Sequence, residues 1–143
     1  LYGDRWRRCR ESRRSGLNRC ARLGRNVVGR ELVKIYQASD AMINILQEPL
    51  DRFRTILSLQ CFAIPSTGRC LIAEYVEEAE AAFEPGKEIL LFRSPEELLA
   101  QVERCLAEPG FAEAVGGAAR RRCLACHTHD HRVAKLERLL RNG

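Results

Sequence analysis

The stretch from Phe62 to Leu106 reads FAIPSTG, then the apolar run Cys70-Leu-Ile-Ala, then FEPGKEILLF from Phe83 to Phe92, then Ser94-Pro-Glu-Glu-Leu-Leu. Its first piece closes an apolar helical pattern at a small-residue turn. Gly68 there is free to take the left-handed backbone that helix ends favour. Cys70 to Ala73 is a short apolar run and predicts a buried strand, followed by a short helix or turn over Glu74 to Phe83. Glu84-Pro85-Gly86 is a turn, and Ile89 to Phe92 predicts a second strand. Ser94 is placed to cap a helix, with Pro95 at the first helical position and Glu97 three residues on, a capping box. That helix carries Leu98, Leu99, Val102 and Leu106 and stops at Pro109-Gly110. Strand, helix, strand and helix with short connections predict an α/β fold, a Rossmann-like parallel sheet with helices on both faces. Such sheets take ligands beyond the carboxyl ends of their strands.

Upstream, Leu1-Tyr2-Gly3 reads as the tail of a strand and Arg5 to Arg25 as a loop. Asn26-Val27-Val28 predicts a short strand closed by Gly29. Leu32, Ile35 and Tyr36 give the spacing of a helix face over Glu31 to Ala38. After the break at Ser39-Asp40, Ala41 to Leu46 predicts a buried strand, ended by Gln47-Glu48-Pro49. Phe53 to Ile64 predicts a helix buried on most sides. Downstream, helices are expected over Phe111 to about Cys126 and over Arg132 to Leu140. This helical C-terminal tail would pack back over the sheet or across to a partner domain.

A chain of 143 residues is the size of one domain and buries about two-thirds of its unfolded surface. No apolar run approaches the ~20 residues of a membrane span. The chain opens at Leu1, and its arginine-dense start lacks the apolar core of a signal peptide. A cytoplasmic location, and a piece of a longer protein, are the expectations. Residues 1–30 hold ten arginines against Asp4 and Glu11, and arginine outnumbers lysine 21 to 3 over the whole chain. That bias reads as compositional habit rather than a nucleic-acid face, because no aromatic residues interleave the block. The seven cysteines are odd in number, and Cys61, Cys70 and Cys105 sit in apolar or helical patterns. Reduced, buried thiols are expected.

Several pieces occur in the order and spacing of a known family. Leu1-Tyr2-Gly3-Asp4-Arg5-Trp6 is similar to a strand-turn segment of the form YGxxW. Val28 to Leu32, Ile35-Tyr36 and Ser39-Asp40 resemble the helix and strand that follow it. Phe62 to Gly68 resembles the motif FEIPAxG, and Phe83 to Glu88, Ser94 to Leu99, and His127-Thr128 with His131-Arg132 continue the series. Together they resemble the group 1 glycosyltransferases related to the spore-coat protein CgeB. The resemblance implies one half of a GT-B architecture, the C-terminal donor-binding domain, with residues 1–143 as a single, N-terminally truncated domain. It implies a nucleotide-sugar donor, no other cofactor, and a partner in the missing N-terminal acceptor domain. The chain by itself would then be inactive.

A nucleotide-sugar offers an anionic diphosphate, which favours backbone amides and arginine, and a ribose, which needs a carboxylate. In many relatives an acidic residue precedes the Ile-Pro of the motif; here that position is Ala63. The expected donor-binding residues are therefore Arg54 facing the diphosphate, Ser66, Thr67 and Gly68 near the sugar, and Glu74 replacing the lost carboxylate. Loss of a hydrogen bond to a charged partner costs ~1.5–3 kcal/mol, so donor binding should be weakened or absent. A non-catalytic remnant or interaction domain with a lapsed donor site is the alternative.

Cys123-Leu-Ala-Cys126-His127 also spells CxxCH, the attachment signature of c-type haem. His129, His131 or Met42 would be the second axial ligand, and Cys123, Cys126, His127 and His131 together could instead hold zinc. Against both, haem attachment usually requires export, and two cysteines with nearby histidines on one helical stretch make poor tetrahedral geometry. No metal is the expectation.

Overall fold

The computed structural model describes residues 27–45 and 57–141. The chain divides into two compact units, Leu1–Ile35 and Tyr36–Gly143. In the first unit the described residues are 27–35, most of which belong to helix α1, Gly29–Gln37. Val27 and Val28 lie in no strand, contrary to the expectation of a strand closed by Gly29. That glycine, at φ 61°, starts the helix instead. The expected strand tail at Leu1–Gly3, the loop over Arg5 to Arg25, and Gln47 to Pro49 fall outside the described residues.

The second unit is built on three parallel strands in the order β1 (Ala41–Asn44), β2 (Cys70–Glu74), β3 (Leu90–Phe92). Ala41 pairs with Cys70 and Asn44 with Ala73, while Ile72 pairs with Leu90 and Glu74 with Phe92. Alternation along the strands puts Ala41, Cys70, Ile72, Leu90 and Phe92 on one face. This face packs against Cys105 of helix α4 (Pro95–Ala107) and against Ala112 and Val115 of helix α5 (Phe111–Cys126). The opposite face meets helix α2 (Gln60–Ser66), since Asn44 reaches both Ser58 and Cys61. Cys70 to Ala73 are all buried, as a strand covered on both faces must be. The sheet is thus the Rossmann-like α/β arrangement expected from the sequence.

Three elements depart from expectation. The strand at 41–44 is shorter and more open than the apolar run AMINIL suggests: Ile43 is 46% and Ile45 61% exposed. Among the described residues β1 is an edge strand, so alternation leaves part of it without cover. Of the helix expected over Phe53 to Ile64, residues 53–56 lie outside the described residues, 57–59 are not helical, and the helix runs from Gln60 to Ser66, with Pro65 in its last turn. Leu59 is 80% exposed, and the Asn44 amide holds Ser58 at 2.8 Å in an irregular segment. Glu74 ends β2 rather than opening a helix. The Tyr75 N–H donates to Phe92 O at 2.9 Å, so helix α3 waits until Glu77–Ala82.

The Ser94 cap forms as the sequence implies, but the return bond of the capping box falls one residue upstream, on Arg93. The Glu97 N–H donates to Ser94 Oγ at 3.2 Å, and the Arg93 N–H donates to Glu97 Oε2 at 2.6 Å. Helix α5 then crosses the amino edge of the sheet. Its start lies on the Cys70 face, and its end reaches Phe62 O through Cys123 Sγ at 3.9 Å. Gly116 makes the crossing possible: a Cβ there would lie 2.4 Å from Gly68 O and 2.8 Å from Cys70 N. The 84–89 turn is tied to the same helix by Glu88, whose Oε2 accepts from the Glu84 N–H and from Arg122 Nε, both at 2.9 Å. Burial pushes the Glu88 carboxyl up, but the Glu84 N–H, Arg122 and Lys87 outweigh it and hold it below the usual range. Helix α6, His129–Arg141, has no buried residue.

Candidate functional site

Parallel strands end on one side, and each of the three places a polar side chain at or just beyond its last residue. At the end of β1, Asn44 is buried, with its Nδ2 donating to Ser58 Oγ at 2.8 Å and lying 3.6 Å from Cys61 Sγ. Ser58 Oγ and Cys61 Sγ are themselves 3.7 Å apart. A buried amide at a strand end requires partners, and the segment entering α2 supplies them. At the end of β2 stands Glu74, followed by Tyr75. At the end of β3, Arg93 lays its guanidinium 3.3 Å from the centre of the Tyr75 ring. Such stacking holds a flexible cation in one plane and stabilises by about 0.5–1 kcal/mol at an exposed site. Because the Tyr75 N–H is bonded to Phe92 O, the two side chains sit on adjacent, hydrogen-bonded strand ends.

This edge offers an amide and a stacked planar cation on one face of the sheet, at Asn44 and at Tyr75 with Arg93, and a carboxylate on the other, at Glu74 beside Phe92. Chemically, the carboxylate accepts hydroxyl protons. The guanidinium presents N–H donors in a geometry suited to phosphate oxygens.

Of the residues expected from the sequence, Glu74 lies on this carboxyl edge. Ser66, Thr67 and Gly68 lie at the other: α2 starts beside the end of β1 and runs back to deliver the chain into Cys70, the first residue of β2. The six steps from Gly68 to Glu74, largely extended, span about 20 Å, so the structure does not bring the turn and Glu74 together. Both hydroxyls of the turn serve the helix end, Ser66 Oγ donating to Ala63 O at 2.7 Å and Thr67 Oγ1 to Ile64 O at 2.6 Å. Gly68, at φ 83°, makes the left-handed stop expected of it. Arg54 and Trp6 lie outside the described residues.

Ala63 is half-buried in the middle of α2, on the side of the helix roughly opposite the buried Cys61 and Ile64. Asn44, Ser58, Tyr75 and Arg93 were not evident as site residues from sequence. Their signal is positional: Asn44, Tyr75 and Arg93 stand where a parallel strand stops, and Ser58 in the segment entering α2.

The CxxCH residues do not converge. Cys123 is buried in the packing of α5 and burial pushes its thiol up to about 11, whereas Cys126 is exposed. The His127 ring lies between Phe62 and Phe83, with centroids 5.2 Å and 5.4 Å away and Nε2 3.0 Å from Ala82 O. His131 Nδ1 lies 2.6 Å from Thr128 Oγ1. Two thioethers and an axial ligand, or a tetrahedral zinc, need side chains aimed at one point; these residues do not fit either group. Among the described residues no group of three or more His, Cys, Asp or Glu is arranged to hold a metal ion, and no helix is long and apolar enough to cross a membrane.

No curated protein and no solved structure matches the chain. A family model described as glycosyl transferase-like matches residues 1–138. That match spans nearly the whole chain and agrees with a parallel sheet whose carboxyl edge is polar, so the chain belongs to the glycosyl transferase-like family, whose general chemistry is glycosyl transfer.

Proposed function

We propose that the chain is the donor-binding half of a CgeB-like glycosyltransferase and holds a nucleotide-sugar at the carboxyl edge of its sheet. The observation that carries this reading is that three successive parallel strands end, at one edge of the sheet, in Asn44, Glu74 and Arg93. In it, Glu74 accepts the ribose hydroxyl protons in place of the acid absent at Ala63. Arg93, spread on Tyr75, faces the diphosphate together with Arg54. Asn44 and Ser58 fix the end of β1. Ser66, Thr67 and Gly68, expected from the sequence near the sugar, act in this reading as the helix stop, because the hydroxyl protons of Ser66 and Thr67 serve α2 and Gly68 turns the chain out of it. The acceptor would be held by a separate N-terminal domain of the GT-B pair, and this half alone does not turn over.

A second reading is a glycosyltransferase fold whose donor site has lapsed, serving as an interaction domain. Ala63 favours it, since a methyl group offers a hydroxyl nothing. Calorimetric titration with uridine- and guanosine-diphosphate sugars separates the two. Binding that is lost in Glu74→Ala and Arg93→Ala supports the first reading; no heat with any of these donors, and a gain in Ala63→Glu, supports the second.

A further inference from the structure

We infer that helix α6 is a dimerisation element, pairing in parallel with the same helix of a second copy of this chain. Every residue of His129–Arg141 is exposed, including Val133 at 54%, Leu136 at 57% and Leu140 at 75%. A 13-residue helix is marginal in water unless an apolar face is buried, so this one requires a cover. The question is what chemistry the cover has.

The pattern of the helix answers it. Val133, Leu136 and Leu140 are spaced 3 and 4 apart, the seam of a heptad with Val133 and Leu140 at a and Leu136 at d. Val133 at a with Leu136 at d is the combination that favours two strands over three or four. In that register Arg132 falls at g and Glu137 at e, five residues later. In a parallel pair, a g residue of one helix faces the e residue five positions on in its partner. Arg132 of each copy therefore meets Glu137 of the other, giving two opposite-charge contacts related by the two-fold axis. An antiparallel pair would set g against g and e against e, leaving Arg132 against Leu139 and Glu137 against an acidic residue, Asp130 or Glu137. The flanks of α6 are thus self-complementary in one orientation. The present partners of both side chains are loose: Glu137 is 3.9 Å from Arg141, and the Arg132 guanidinium is 5.2 Å from the Phe62 ring centre. Both can be exchanged at little loss. A membrane surface fits less well, because the acidic Asp130 and Glu137 border the apolar stripe on one side.

Sedimentation equilibrium of the full chain tests this. The mass is expected to rise with concentration from 16.3 kDa towards that of two chains, with the rise diminished at high salt. Arg132→Glu and Glu137→Arg should each weaken association by about tenfold or more by turning attraction into repulsion. An equimolar mixture of the two variants should restore it, because each then offers the other's complement. Leu136→Glu should abolish it, with circular dichroism confirming that the sheet domain remains folded. A mass of one chain at all concentrations up to about a millimolar would overturn the inference. So would charge variants that associate like the parent, or a monomer that instead floats with anionic vesicles.

Discussion

Replacing Gly116 and Gly117 separately by alanine should move stability in opposite directions, although the two are neighbours in one helix. A Cβ at Gly116 would stand 2.4 Å from Gly68 O, 2.8 Å from Arg69 C and 2.8 Å from Cys70 N. All three are backbone atoms at the entrance to the buried strand β2 and cannot rotate away. To restore ordinary contact α5 must retreat by up to about 1 Å, loosening its packing on both α2 and β2. Overpacking of this kind costs about 1–3 kcal/mol. With rigid backbone on the receiving side the upper end applies, offset by about 1 kcal/mol of helix propensity gained on losing a glycine. Gly116→Ala should therefore destabilise by about 2 kcal/mol, or roughly 6–10 °C in Tm for a chain of this size. At Gly117 the same Cβ meets only the tip of the Arg121 side chain at 3.6 Å. There the propensity gain stands alone, and Gly117→Ala should stabilise by about 0.5–1 kcal/mol. Urea denaturation followed by circular dichroism at 222 nm, with thermal melts as a second readout, measures both. Equal effects at the two positions, or a stabilised Gly116→Ala, would show that α5 does not cross the sheet edge in contact with the 68–70 backbone.

Glu88→Ala should lower stability by about 1–2 kcal/mol through the Glu84 N–H left without an acceptor, seen as a shift in the urea midpoint. Because the Glu88 carboxyl titrates below its usual range in the folded chain, its contribution is full above the unfolded pKa of about 4.3 and is lost as pH falls through the lower folded value. Glu88→Gln should accordingly flatten the fall of Tm between neutral pH and acid. Among the described cysteines, Cys126 should react with a maleimide at neutral pH within minutes, while Cys70, Cys105 and Cys123 should react only on unfolding. All three are buried, and burial together with Cys105 raises the Cys70 thiol to about 12; peptide mass mapping of the adduct decides the case. Arg93→Lys should weaken nucleotide-sugar binding by roughly tenfold despite keeping the charge, because an ammonium neither stacks on Tyr75 nor presents paired N–H donors, and calorimetry reads the loss.

Much of the fold was legible because its signals are local. The Ser94 cap with Pro95 at the first helical position and the left-handed stop at Gly68 are each fixed by a few adjacent residues, and both formed as expected. The apolar run at 70–73 announced a strand covered on both faces, which it is. What sequence misjudged depends on distant partners. Leu59 belongs to an apolar pattern yet is exposed, because Ser58 is held by Asn44 fourteen residues away. Val27-Val28 has strand propensity but no neighbouring strand within the described residues.

The site was harder to read for the same reason. A motif view groups Ser66, Thr67 and Gly68 with the strand that follows, whereas the parallel crossover puts that turn and Glu74 at opposite ends of β2. The Tyr75–Arg93 stack joins residues from two strand ends that only the sheet register brings together. Nothing in the local sequence marks either as a partner of the other.

The central claim, that the carboxyl edge holds a nucleotide-sugar, is tested most directly by backbone amide NMR during titration with UDP-glucose and GDP-mannose. The account predicts saturable shifts centred on Asn44, Ser58, Glu74, Tyr75 and Arg93, with the amides of Ser66 to Gly68 little changed. Shifts concentrated at Ser66 to Gly68, or none anywhere at saturating concentrations of both donors, would contradict it.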